Sequence, residues 1–417
     1  MNTTIAIKGG TVVDRHGTRR ADVVVSDDGT ILAVDEGLDG DRSLDASGCI
    51  VSPGFVDLHV HLRQPGKEEA ETVETGARGA ALGGFTAVVA MPNTTPAMDC
   101  AAVVREVIEL GRDALCDVRP SAAITVGRAG DALTPMAELV RLGVRVFTDD
   151  GTGVQDDRLM RSALDYAASL RHLSNGQPIV LAQRCEVSAL SEGGYMREGE
   201  WSSRLGIPGQ PARPRAHGDA RHRTRPPHGE SRALPAPVHG GVGGDGPDAR
   251  PPAYRSRRAA THHFCLTDAC CADYDPVFKV HPPLRTDADV VAVKEGLVDG
   301  TIGAIATDHA PHTTQDKEQT FADAPPRMLG LETAFALANT HLEMPIESIL
   351  AAMSWRPAAI ARLEADHGGP IEAGRAANLA IVDPDATWVV SGEAMASRSR
   401  NTPYEGMQVR GRVRHTI

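Results

Sequence analysis

Over the first fifty residues, apolar and polar positions alternate with a period of two. The stretches TIAIKGGTVVD and ADVVVSDDGTILAVD carry the pattern, broken by Gly and Asp. Successive side chains of a strand point to opposite faces, so this period predicts short, half-buried strands joined by turns. The same style returns in GRAANLAIVDPDATWVV and NTPYEGMQVRGRVRHTI. Two strand-rich ends predict one small β-sandwich unit built from residues 1–50 and 365–417.

The middle, residues 51–364, reads differently. CIVSPGFVDLHV, GFTAVVAMPN, DVRPSAAITV, VRVFTDD, PIVLAQRCE and IGAIATDHAP are runs of mostly apolar residues, as expected of strands buried on both faces. Helical patterns such as AETVETGARGAALGG and AMDCAAVVREVIELGRDAL lie between them. Apolar strands alternating with amphipathic helices predict an α/β fold with parallel βα units, here a TIM-like (β/α)₈ barrel. In such barrels the active site sits at the carboxyl ends of the strands. The predicted strands end in His59-x-His61, Asn93, Asp149–Asp150, Glu186 and Asp308–His309. Core packing gives no reason for so many polar endings.

Residues 211–260 interrupt the alternation. They hold ten Arg, nine Pro and seven Gly, but one Leu, two Val and no Lys, Ile, Phe or Met. No strand or amphipathic helix can be written there. An out-of-frame reading of a GC-rich gene accounts for this composition better than a natural disordered insertion or a basic nucleic-acid arm. The expectation is a barrel disrupted over this span.

Bulk properties remove other function classes. A net charge of −12 over 417 residues gives no global basic field for nucleic acid, and 4% aromatic residues give few stacking platforms. No run of about 18 apolar residues predicts a membrane span. The start, MNTTIAIKGGTVVD, lacks a basic segment followed by a long apolar one, so no signal peptide is expected. Seven cysteines, odd in number and without paired spacing, read as thiols in a reducing cytoplasm.

The strand endings then suggest a chemistry. His59 and His61 are two apart on a strand, so both imidazoles face one way and reach one cation, a geometry that suits Zn²⁺. Asp150 and Asp308 end other strands of the same rim. A metal there generates a nucleophilic water at neutral pH, and Asp308 is placed to take its proton and pass it to a leaving nitrogen. Arg63 continues the histidine face. An arginine beside a cation implies an anion between them, such as a substrate carboxylate. Asn93 offers amide donors and acceptors at the next strand end. His281 and His312 are further polar groups at loop positions. The reaction class is metal-assisted hydrolysis of an amide-like bond.

Taken together, PGFVDLHVHLRQPG, GGFTAVVAMPNTTP, FTDDGTGVQ, QRCEVSALSEGGYM, FKVHPPLRT, AIATDHAPHTTQDK, MLGLETAFAL and GGPIEAGRAANLAIVDPDATW resemble the amidohydrolase superfamily, most nearly its bacterial class I dihydroorotases. The resemblance covers nearly the whole chain outside 211–260. It implies reversible closure of N-carbamoyl-L-aspartate to L-dihydroorotate in pyrimidine synthesis. It implies Zn²⁺ on His59, His61 and Asp308, with Asp150 bridging to a second metal and Asp308 as proton shuttle. Substrate contacts would fall to His61, Arg63, Asn93, His281, His312 and the loop at Pro326–Arg327.

Several positions depart from the family pattern. Arg184 stands where a metal-binding His is usual, and the sixth-strand His would lie within 211–260. His281 replaces a more usual Asn, and Arg327 replaces a Gly. A guanidinium cannot ligate metal. These departures imply one Zn²⁺ retained, the second site lost and activity impaired. Other cyclic amidohydrolases, such as hydantoinase or allantoinase, are an alternative, although their substrates give Arg63 no carboxylate. A non-catalytic subunit partnering aspartate transcarbamoylase is another. The expected assembly is a homo-oligomer.

Overall fold

The computed structural model describes residues 3–184, 186–211, 240–241 and 257–417. The N-terminal segment forms seven short strands: β1 (Thr4–Lys8), β2 (Thr11–Asp14), β3 (Gly17–Arg20), β4 (Asp22–Ser26), β5 (Ile31–Asp35), β6 (Arg42–Asp45) and β7 (Ile50–Pro53). Four of them make a sheet in the order β5-β4-β1-β6. The predicted single strand 49–60 is in fact two. β7 stays with the terminal sheets, and β8 (Phe55–Val60) opens the barrel. Gly54 is the joint. A Cβ there would lie 2.2 Å from the Thr86 side chain, and the Gly54 N–H donates to the Asn378 carbonyl at 2.8 Å. The apolar run hides this joint because both neighbours are buried.

The barrel strands are β8, β9 (Phe85–Ala90), β10 (Asp117–Pro120), β11 (Val146–Phe147) and β12 (Val180–Gln183). A short parallel pair follows, β13 (Met196–Arg197) with β14 (Gly209–Gln210), and then β15 (Gly240–Gly241). The barrel resumes at β16 (Arg258–Ala260) and β17 (Ala304–Ala306). β8, β9 and β10 are parallel neighbours. A parallel bridge from Ala122 to Phe147 carries the order to β11, which pairs with β12. β16 pairs in parallel with β17, and a bridge from Val60 to His309 brings β17 back against β8. Among the described residues the ladder runs from β16 round to β12. Beyond β12 its described neighbour is β15, which runs antiparallel.

This corrects one expectation. Residues 258–260 lie inside the span read as strandless, yet they are a barrel strand in register with Ala304–Ala306. Three residues are too few for periodicity to show. β15 (Gly240–Gly241) is a second short strand inside the same span, pairing with β12. The rest of the expectation about 211–260 lies outside the described residues.

The chain returns at its end to the N-terminal sheets. β18 (Leu379–Val389) pairs antiparallel with β7 and with β19 (Gln408–Thr416), giving the order β19-β18-β7-β2-β3. Ile7, Val12, Val23, Val51, Leu379 and Ile381 share a buried cluster under these sheets. A separate cluster joins Val56, Leu58, Ala87, Val89, Met91, Val146, Ala304 and Ala306. Side chains from β8, β9, β11 and β17 meet there, which puts them on the inner face of the curved sheet. They form the apolar floor below the polar strand ends. No helix among the described residues is long and apolar enough to cross a membrane.

Candidate metal and substrate site

Buried carboxylates fix the positions of the polar strand ends. Asp57 accepts the His59 N–H at 3.0 Å, the Thr307 N–H at 3.2 Å and the Thr307 hydroxyl at 2.5 Å. These bonds fasten β8 to β17, so His59 and Asp308 emerge side by side. Burial pushes the Asp57 carboxyl up to about 6, against the pull of these donors. Asp149 plays the same part elsewhere, accepting the Ile124 and Thr125 N–H groups at 2.8 and 3.0 Å. Asp308 has φ +52°, a left-handed conformation that a non-glycine residue holds only when its surroundings enforce it.

His59, His61, Asp150 and Asp308 converge. His59 Nε2 lies 3.3 Å from Asp150 Oδ1 and 3.2 Å from Asp308 Oδ1. His61 Nε2 lies 3.2 Å from Asp308 Oδ1 and 3.6 Å from Asp150 Oδ2. The two Nε2 atoms are 3.2 Å apart. All four residues are buried. Burial holds both imidazoles below their usual range, His61 at about 3, so both are neutral. Burial alone would raise both carboxyls, but Arg327 and the imidazoles outweigh it and hold them well below the usual range.

The donor set suits a divalent cation: two neutral imidazoles and two carboxylates aimed at one point. His59, His61 and Asp150 alone place three ligand atoms within 4.8 Å of one another. Asp150 Oδ1 is buried, with His59 Nε2 at 3.3 Å and Arg184 Nη1 at 3.9 Å. A protein cation already marks the point as a place for positive charge. Arg327 Nη1 donates to Asp308 Oδ1 at 2.9 Å and Nη2 to Asp150 Oδ2 at 3.1 Å, and Nη1 also contacts His61 Nε2.

Two more guanidinium groups flank the centre. Arg184 Nε donates to Glu186 Oε2 at 2.6 Å, and its Nη1 lies 3.9 Å from Asp150 Oδ1. Arg258 donates to the Leu58 carbonyl at 2.7 Å and to His59 Nδ1. Arg258 was missed because it sits in the composition-biased span. Asp57 was missed too, because it acts on backbone N–H groups of its own and the neighbouring strand end, and the strand is irregular between Asp57 and Val60.

The expected substrate residues divide into two groups. Arg63 reaches His312 Nε2 at 3.0 Å through Nη2 and donates Nε–H to the Pro311 carbonyl at 2.9 Å. Glu68, the nearest carboxylate along the chain, accepts the Gly66 N–H at 2.8 Å. Burial and the nearby Arg327 pull the Arg63 guanidinium down to about 10. His312 Nε2 also lies 3.1 Å from the Pro326 carbonyl, which ties that loop to the same cluster. Burial and Arg63 keep His312 neutral. Asn93 Oδ1 accepts from His61 Nδ1 at 2.7 Å, so it orients a candidate ligand directly. His281 is turned to Glu186 at 3.0 Å and Gln210 at 3.1 Å. Despite burial, Glu186 is held far below the usual range by His281 and Arg184.

Residues 48–221 match a family model described as dihydro-orotase-like, and residues 272–417 match the amidohydrolase family. The dihydroorotase of Mycobacterium bovis is 42% identical over 416 residues, covering 95% of this chain and 93% of that protein. That of Streptomyces coelicolor is 41% identical over 424 residues, covering 98% and 96%. That of Pelotomaculum thermopropionicum is 40% identical over 420 residues, covering 98% and 95%. Among solved structures, the dihydropyrimidinase of Brevibacillus agri NCHU1002 aligns with a TM-score of 0.73 at 18% identity, over 99% of this chain and 93% of that one. A D-hydantoinase from a Bacillus sp. AR9 aligns with a TM-score of 0.72 at 19% identity, over 99% and 94%. At such low identity the structural likeness speaks to the fold alone, a TIM-like barrel with a β-rich unit.

Proposed function

The chain belongs to the dihydroorotase family, and from that membership we propose that it interconverts N-carbamoyl-L-aspartate and L-dihydroorotate in pyrimidine synthesis. The observation that carries this reading is the meeting of His59, His61, Asp150 and Asp308 within 3.2–3.6 Å, beside Arg63. Arg63 forms no ion pair with a carboxylate among the described residues, and a half-buried guanidinium so placed beside the carboxylate cluster calls for an anion.

In the hydrolytic direction water adds to a ring carbonyl, the C–N bond breaks and the ring nitrogen takes up a proton. Cyclisation is the reverse, with loss of water. His59, His61 and Asp308 would hold one Zn²⁺, with Asp150 beside them. When bound, the ion supplies the Lewis acidity that makes water a nucleophile near neutral pH. Asp308 takes the proton shed by the attacking water and returns it to the leaving nitrogen. Arg63 grips the substrate carboxylate. Asn93 holds His61 in the tautomer whose Nε2 lone pair faces the centre and keeps its amide donors for substrate. His312, His281 and the Pro326–Arg327 loop line the rest of the pocket. A second metal is not part of the proposal, because the Arg184 guanidinium fills the space beside Asp150.

The reading includes a division into a barrel and a small β unit built from both ends. The boundary expected at 50/51 moves to the Gly54 joint, so that the barrel runs from 55 to 364 and the β unit takes 1–53 and 365–417. It also includes a cytoplasmic location, in keeping with the free thiols of the six described cysteines. A second reading, a non-catalytic subunit supporting aspartate transcarbamoylase, is favoured by one observation: Arg327 lies among the candidate ligands. A substrate panel separates the readings. L-dihydroorotate should be hydrolysed, hydantoin and allantoin should not, and Asp308→Asn should abolish turnover. Equal turnover of hydantoin overturns the substrate assignment. No turnover, together with co-purification of a transferase, favours the second reading.

A further inference from the structure

Arg327 has two properties that the proposed chemistry leaves unused. Its backbone has φ +102°, a region that favours glycine. The loop is nevertheless fixed, by Arg327 N–H to the Lys279 carbonyl at 2.7 Å and by Asn401 Nδ2 to the Arg327 carbonyl at 3.3 Å. The side chain is buried, with 6% of its surface exposed. It spends its fork on Asp308 at 2.9 Å and Asp150 at 3.1 Å, and it touches His61 Nε2. Each of these partners is a group that the reading above assigns to the metal. A guanidinium offers only donors, so its complement is the lone-pair surface that a cation requires.

We propose that Arg327 is a built-in cation that competes with the divalent ion for one cradle, so that metal loads only when this side chain leaves it. The proposal rests on the metal-centre reading. Its physical basis is charge. With Arg327 seated, two carboxylates face one positive charge. With a divalent ion seated instead, two carboxylates face two. With both, three positive charges meet two negative ones in a buried space already flanked by Arg184 and Arg258. Buried charge without compensation is strongly unfavourable, so occupancy is mutually exclusive. Arg327 also supplies the cradle with hydrogen-bonded charge when no metal is there, which keeps Asp150 and Asp308 from repelling each other.

The test uses the full chain, stripped by chelator and titrated with Zn²⁺ alone. Calorimetry, elemental analysis and thermal melting are compared for wild type, Arg327→Gly and Arg327→Gln. The glycine variant should bind Zn²⁺ about 100-fold more tightly, the scale of two charge-assisted hydrogen bonds no longer given up. Its metal-free melting temperature should fall. Millimolar guanidinium ion should restore that temperature and weaken Zn²⁺ binding in the variant, while leaving wild type unmoved. Arg327→Gln gives the same comparison should the glycine variant fail to fold. Equal Zn²⁺ affinity in wild type and variants overturns the competition but leaves the metal centre standing. No Zn²⁺ bound by any of the three removes the metal centre, and the competition with it.

Discussion

Arg258 donates a guanidinium N–H to Nδ1 of His59. An arginine has no acceptor, so Nδ1 supplies the lone pair, and the neutral ring carries its proton on Nε2. That is the nitrogen aimed at Asp150 and Asp308. A protonated Nε2 donates to carboxylates but cannot ligate. His61 is set the other way, with Nδ1 donating to Asn93 and Nε2 free of its proton. The two histidines of one motif therefore hold opposite tautomers: His61 is already in the ligating form, and His59 joins it as a ligand once its Nε2 proton is displaced and its bond from Arg258 is given up.

Arg258→Met should release His59. Nitrogen NMR of the imidazoles should show the His59 proton on Nε2 in wild type and a shift of its population toward Nδ1 in the variant. Zn²⁺ affinity should rise by roughly 10- to 100-fold, the usual span for a changed partner behind a ligand histidine. Loss of the bond to the Leu58 carbonyl should cost about 1–3 kcal/mol of stability. An unchanged imidazole spectrum would show that Arg258 does not set the tautomer.

Arg63→Met should remove the grip on the substrate carboxylate. kcat/KM for L-dihydroorotate should drop roughly 100-fold or more, as expected for losing charge-assisted bonds, chiefly through KM. Zn²⁺ affinity should move little or rise, because a nearby positive charge is gone. A fall in Zn²⁺ content without a change in KM would assign Arg63 to the scaffold instead.

The joint between β7 and β8 is open to a similar test. A Cβ at residue 54 would sit 2.2 Å from Thr86 Cγ2 and 2.3 Å from Thr86 Oγ1. Gly54→Ala should cost about 1–3 kcal/mol, read as a lower melting temperature, because a close-packed joint has no room to give. Thr86→Ala in the same chain should recover part of that loss, a coupling between neighbours that independent sites do not show.

These residues also mark how far the chain could be read unaided. His59, His61, Asp150 and Asp308 were legible because each ends an apolar run, and strand ends of a barrel share one rim. The β-rich ends were legible because a period of two survives even in strands of four or five residues. The β7–β8 joint was not, since a glycine inside a buried run leaves no polar mark. Arg327 was legible only as an odd residue in a loop. Loops have no period, so nothing in the sequence says that its side chain turns into the rim. Arg258 was hidden by its neighbours, because a three-residue strand cannot announce itself amid arginines and prolines.

Glu332 gives the pH prediction. Burial, with the Glu71 carboxylate nearby, raises its carboxyl to about 7 despite the Ala396 N–H it accepts at 2.8 Å. The unfolded chain titrates this group near 4.5, its ordinary value. Between those two values the folded protein binds more protons than the unfolded one, so stability falls as pH rises through this window. Below it both states are protonated and the term vanishes; above it the full penalty remains. Glu332→Gln keeps a carbonyl for Ala396 but removes the charge. It should therefore stabilise the protein by about 1–3 kcal/mol at pH 8, where the wild-type group is ionised, and by almost nothing at pH 4. Denaturant melts of both proteins across this range check the prediction. A stability difference that is the same at both ends would place the effect in packing and not in the buried charge.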